Sequence, residues 1–197
     1  MDYTAISTEN LLKWLESNLT SKRYIHSLGT AECARELAKK FNLDSDKAYL
    51  AGLLHDCAKC FPNEKFLEII DLNLSLEKDE LKNPKTLHAP VSAYVAKVDF
   101  GVEDEEILSA IRWHTLGRAD MTDFEKIIFL SDKIEPRTRE KDYVADIKCA
   151  VYENNSLDRA MLICYKETIK SLVNRDLKIC PVTVDIYNKL QDKFVQK

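Results

Sequence analysis

Several helical stripes in this sequence are interrupted by a single ionisable group of a type that ligates metals. Ala48, Ala51, Gly52 and His55 fall at i, i+3, i+4 and i+7, and Ile107, Ala110, Ile111 and His114 repeat that spacing. Phe124 and Ile128 precede Asp132 at four-residue steps, His26 shares a face with Cys33 and Leu37, and His88 leads into Val91 and Val95. Five helices thereby aim such groups at one interior. A single inward histidine is more often a hydrogen-bonded core residue than a ligand, and Asp132 alone could cap a neighbouring backbone. Together the balance changes, because burying four imidazoles and two carboxylates without a cation costs on the order of several kcal/mol in desolvation. A metal ion removes that cost. Imidazole and carboxylate donors without clustered thiolates suit iron, manganese, cobalt or zinc rather than calcium.

His55 and Asp56 are adjacent. Neighbours on a helix diverge by about 100°, so both can reach one ion only at a helix terminus beside a crevice, where Asp56 could also bridge two ions. Lys59 lies four residues beyond His55 and puts an ammonium on the same face, where a cation beside a metal invites a phosphate. On spacing alone Lys59 fits a solvated surface lysine equally well, and Gly117-Arg118 fits a simple turn after a helix. Cys57 and Cys60 form a C-x-x-C, but a structural zinc needs a second pair, and two helix-end thiols are the simpler reading.

The elements that must carry these groups are helical. With four glycines and 9% aromatic residues among 197, the chain is neither a low-complexity sequence nor a turn-rich β-barrel or sandwich. Apolar periodicity predicts an all-α chain of about ten helices. They fall near residues 7–19, 20–41, 44–56, 64–70, 77–81, 89–98, 103–115, 122–135, 141–153, 156–174 and 181–194. No interior linker or repeat stands out, so a single domain over 1–197 is expected, with a core at about 20–140 and a C-terminal helical extension over 141–197. The net charge of −4 is too balanced for a general nucleic-acid binder, so anion binding must be local. Without an export signal or a long apolar run, the expectation is a cytoplasmic protein with reduced thiols and no membrane partner. The apolar stripe of the C-terminal helices fits internal core or a homodimer surface equally well.

His26, LLHDCAK (53–59), His88, RWHTLGR (112–118) and FLSDKIEP (129–136) together resemble the HD superfamily of metal-dependent phosphohydrolases, and within it the symmetrical dinucleoside tetraphosphatases. The likeness runs from about Arg23 to Arg139. It implies an all-α helical bundle holding iron or a related ion through His26, His55, Asp56 and Asp132. His88 and His114 would lie beside a second metal position or the scissile phosphate, with Lys59 on phosphate. The implied reaction is hydrolysis of diadenosine tetraphosphate to two ADP. By the same likeness Arg139 is a phosphate ligand and 176–181 lies near an adenine. The subfamily carries an aromatic after its last aspartate, where this chain has Lys133.

A mechanism follows in outline. A metal lowers the pKa of bound water from near 16 to about 7. Asp56 is suited to orient or deprotonate that water, His88 and His114 to protonate the leaving oxygen, and Lys59, Arg118 and Arg139 to neutralise phosphate. Alternatives are an HD phosphohydrolase acting on a nucleoside monophosphate or a guanosine polyphosphate, and a non-catalytic nucleotide sensor.

Overall fold

In a computed structural model of the chain, which describes residues 3–81, 84–138 and 142–195, the described residues form eleven α-helices and one short 3-10 turn, with no strand. The helices are α1 (Thr8–Asn18), α2 (Ser21–Lys40), α3 (Ser45–Leu54), α4 (Asn63–Asn73), α5 (Lys78–Leu81) and α6 (His88–Val98). They continue with α7 (Glu105–Trp113), α8 (Asp123–Ile134), α9 (Asp142–Tyr152), α10 (Leu157–Val173) and α11 (Pro181–Val195). The 3-10 turn, Pro84–Thr86, leads into α6. This is the all-α architecture expected from the periodicity.

The starts of α2, α3, α7 and α8 are set by side-chain caps. Thr20 accepts from Arg23 N at the head of α2, Asp44 from Asp46 N and Lys47 N at α3, and Asp104 from Glu106 N and Ile107 N at α7. Each cap satisfies amides that have no partner within the helix. At α8 the cap is reciprocal: Thr122 accepts from Glu125 N while the Glu125 carboxylate accepts from Thr122 N.

Helices α2 and α3 turn back on one another through Asn42, whose positive φ of 55° ends α2 while Leu43 N donates to the Ala38 carbonyl at 2.8 Å. They can lie close because Gly52 faces the Ala31 backbone: a Cβ there would stand 2.8 Å from Ala31 Cα. Helix α8 packs against both α2 and α3 and also against α7, which lies beside α6. The core between them includes Leu37, Leu53, Ile107, Ile111, Ile127 and Ile128, each fully buried. Each such side chain contributes roughly 1.5–3 kcal/mol on burial. Helices α9 and α10 form a second hairpin against α8, with α11 laid on α10. Among the described residues no helix is long and apolar enough to cross a membrane.

Candidate metal centre

The ends of four helices meet at one point in this bundle. Helix α3 stops at Leu54, two residues earlier than the periodicity suggests, so His55 is its C-cap and Asp56 lies in the turn that follows. That early stop lets adjacent side chains turn to the same side. His114 is likewise the C-cap of α7, His88 opens α6, and Asp132 lies near the end of α8. All four histidines, Asp56 and Asp132 are buried, none more than 5% exposed.

Three of the imidazoles are aimed by one local device. His55 Nδ1 donates to the Gly52 carbonyl at 2.6 Å, His88 Nδ1 to Lys85 at 2.9 Å, and His114 Nδ1 to Ile111 at 2.7 Å, in every case the residue three positions earlier. At α3 and α7 these bonds also satisfy carbonyls left over at the helix end. A carbonyl can only accept, so the proton sits on Nδ1 and Nε2 presents its lone pair. His26 is held differently, with Nδ1 3.0 Å from the Glu135 carboxylate.

The four Nε2 atoms then converge with the carboxylates. His26 Nε2 is 2.9 Å from Asp132 Oδ1, and His55 Nε2 is 3.8 Å from that oxygen and 3.7 Å from Asp56 Oδ2. Asp56 Oδ1 lies 3.0 Å from His88 Nε2 and 3.5 Å from His114 Nε2, and the last two nitrogens are 3.2 Å apart. Donor atoms of His26, His55 and Asp56 form one group within 4.8 Å of one another, and those of Asp56, His88 and His114 another, so Asp56 is common to both. The resulting donor set fits a divalent metal. Despite the crowding, His55 Nε2 and Asp56 Oδ1 are buried without a well-directed hydrogen bond. Two imidazole lone pairs facing at 3.2 Å repel unless a cation lies between them.

Protonation is a poor substitute for that cation. Burial lowers the pKa of His55 to about 3 and that of His88 to about 4, because charging a ring cut off from water is unfavourable in both cases. Burial also works against the charge of Asp56, but His55, His114 and His88 around it outweigh that and hold its carboxyl well below the usual range. His55 and His88 are therefore neutral beside an ionised Asp56, the protonation states that metal binding requires.

Lys59 belongs to this group rather than to the solvent. Its Nζ lies 2.8 Å from His88 Nε2 and 4.0 Å from Asp56 Oδ1, and burial lowers its pKa. Two residues that the sequence reading passes over complete the surroundings. Arg23 Nη1 donates to Asp56 Oδ2 at 2.8 Å, and Arg23 lines with Lys22, His26 and Thr138 a cleft of about 240 Å³. Glu135, fully buried, accepts from His26 and from the amides of Arg137 and Thr138. Gly29 leaves room for it, since a Cβ at that position would strike the Glu135 carboxylate. Both have a usable signal: Arg23 is one turn before His26, and Glu135 one turn after Asp132.

Other expectations fall elsewhere. Arg118, expected on phosphate, is turned to the Glu125 carboxylate, with Nε at 3.0 Å from Oε1 and Nη2 at 3.0 Å from Oε2. It lines a different cavity with Lys189 and Leu190 of α11. The reason is local: Gly117, at φ 71°, turns the chain away from the histidines, and the α8 capping box holds an acid in reach. Arg139 lies outside the described residues. The stretch 176–181 joins α10 to α11, and Arg175 just before it lines a groove with Lys133, Tyr143 and Lys170. Cys57 is buried with its thiol pushed up to about 12, Cys60 is exposed, and neither is in a disulfide, in keeping with two helix-end thiols.

A helical bundle that gathers a histidine, a His-Asp pair and a distant aspartate has a counterpart among known proteins: residues 23–137 match the HD domain, and the chain belongs to that family. Its relatives include proteins named symmetrical bis(5'-nucleosyl)-tetraphosphatase. The one from Bacillus subtilis is 37% identical over 94% of this chain and 98% of its own length, and that from Staphylococcus aureus is 37% identical over 93% and 94%. A crystal structure from Clostridium acetobutylicum, described as a predicted HD superfamily hydrolase involved in NAD metabolism, superposes with a TM-score of 0.87 at 36% identity, covering 95% of this chain and 98% of that one.

Proposed function

We propose that this chain is a metal-dependent hydrolase that splits diadenosine tetraphosphate between its two middle phosphates to give two ADP. The observation that carries the metal reading is the buried His55 Nε2, which has no hydrogen-bond partner among converging imidazoles and carboxylates. Relatives named for this reaction along nearly their whole length support the choice of substrate. His26, His55, Asp56 and Asp132 hold the ion, and Asp56 with His88 and His114 offers a second position. Among first-row metals suited to nitrogen and oxygen donors, iron is the ion we assign, ahead of manganese, cobalt and zinc. When bound, such an ion supplies Lewis acidity to the phosphate oxygens and to the attacking water.

The residues divide the remaining work. Asp56 orients the water and accepts its proton at a carboxylate oxygen. Arg23, at the mouth of the cleft beside His26, and Lys59, on the opposite side of Asp56, neutralise phosphate oxygens. Lys59 gives up its proton more readily than an exposed lysine, so Nζ can deliver it to the oxygen of the departing ADP. Arg118, paired with Glu125, takes no part.

The test is incubation of purified protein with diadenosine tetraphosphate and iron, manganese or magnesium in parallel, followed by chromatography of products. ADP alone is expected. ATP plus AMP, or no cleavage with any ion, refutes the assignment. His55→Ala and Asp132→Ala should lose both activity and bound metal.

A further inference from the structure

Asp132 has two oxygens in different surroundings. Oδ1 faces the imidazoles, at 2.9 Å from His26 Nε2 and 3.8 Å from His55 Nε2, while Oδ2 takes the Lys133 ammonium at 2.5 Å. Lys133 is the next residue on α8, so its side chain leaves the helix about 100° away from that of Asp132 and must bend back to meet it. Phe129, one turn earlier, supports the bend: Lys133 Nζ lies 5.1 Å from the centre of its ring. Phe129 is itself fixed by stacking on Tyr165 of α10, with ring centres 5.4 Å apart and planes within 17°. The Tyr165 hydroxyl donates to the Leu116 carbonyl at 2.8 Å, in space that a Cβ on Gly117 would occupy. The Lys133 side chain is only 23% exposed, and the ring it rests on is fixed in turn by α10 and by the turn after α7.

We propose that Lys133 is a positioning residue of the metal centre: by occupying Asp132 Oδ2 it limits that carboxylate to one donor oxygen, Oδ1, and its charge lowers the affinity for a divalent ion. The proposal rests on the reading of Asp132 as a ligand. A carboxylate with both oxygens available can close on an ion through both and take two of its positions; one already bonded to an ammonium through Oδ2 takes one. The position left open is then available to water or phosphate. A fixed positive charge a few ångströms from a dication also opposes binding, by about tenfold or more even when screened as in bulk water.

Cobalt(II) tests both parts, because its visible absorption weakens as its coordination number rises. Metal-stripped parent, Lys133→Met and Lys133→Arg proteins are titrated with cobalt(II) and followed by absorption, with thermal melts as a check on folding. Lys133→Met should bind cobalt about tenfold more tightly and show a weaker visible band, while Lys133→Arg, which keeps the charge, should stay near the parent. Parental or weaker affinity in Lys133→Met, or an unchanged band, overturns the proposal. A parent that binds no cobalt overturns the ligand assignment itself. Should Lys133→Met not fold, Lys133→Leu removes the same charge and donor and is read in the same way.

Discussion

Acidifying the metal-stripped protein from pH 8 to pH 5 should lower its melting temperature by about 10 °C, and the reason is the pair His55 and His88. Burial holds their folded pKa values at about 3 and about 4, whereas in the unfolded chain both return to about 6.5. Their contribution to stability is complete above pH 6.5 and is lost as pH falls below it, because the unfolded chain takes up protons that the folded one refuses. At pH 5 the unfolded rings are almost fully charged and the folded ones almost neutral, which costs about 2 kcal/mol per ring, about 4 kcal/mol in all. A chain of 197 residues unfolds with an entropy of about 0.4 kcal/mol/K, so the melting temperature falls by about 10 °C. Carboxylates titrate mostly below this window and contribute little to the change. Calorimetry in chelator across the range is the assay, and His88→Gln should remove about half of the drop. A melting temperature that stays level from pH 8 to pH 5 would refute the account of two imidazoles kept neutral by burial.

Removal of the guanidinium in Arg23→Ala should lower kcat/KM for diadenosine tetraphosphate by roughly 10- to 100-fold, the worth of a charge-assisted hydrogen bond, while metal content stays at the parental level; unchanged kinetics would take Arg23 out of the phosphate site. Gly52→Ala forces a methyl to within 2.8 Å of Ala31 Cα, which is backbone and cannot rotate aside. It should cost about 1–3 kcal/mol of stability and loosen metal binding as well, since the Gly52 carbonyl orients His55; full stability in a thermal melt would show that α2 and α3 part at little cost.

Most of the fold and the core of the site are legible in the sequence because both follow from periodicity. Apolar stripes locate the helices to within a few residues, and the same stripes, interrupted by His55, His114 and Asp132, point to the interior where these groups meet. Arg23 and Glu135 are harder to see because they act across helices: one reaches Asp56, 33 positions away, and the other His26, 109 positions away. Local spacing places each one turn from a site residue but does not show which distant partner it reaches. Arg118 shows the opposite difficulty, since a cation near a histidine motif suggests phosphate until the capping acid Glu125, seven residues on, is seen to hold it. Periodicity also carries α3 too far, and only the observed stop at Leu54 explains how His55 and Asp56 face one centre.

The ligands differ in what keeps them aimed. His55, His88 and His114 are each oriented by a carbonyl of their own chain segment, three residues back, so a helix that shifts as a rigid body carries its donor with it, tautomer unchanged. His26 on α2 is oriented by Glu135 at the end of α8. A sliding movement between those two helices would disturb His26 alone while its three counterparts kept their aim, which makes the seam between α2 and α8 the place where mechanical strain in the bundle is felt by the metal.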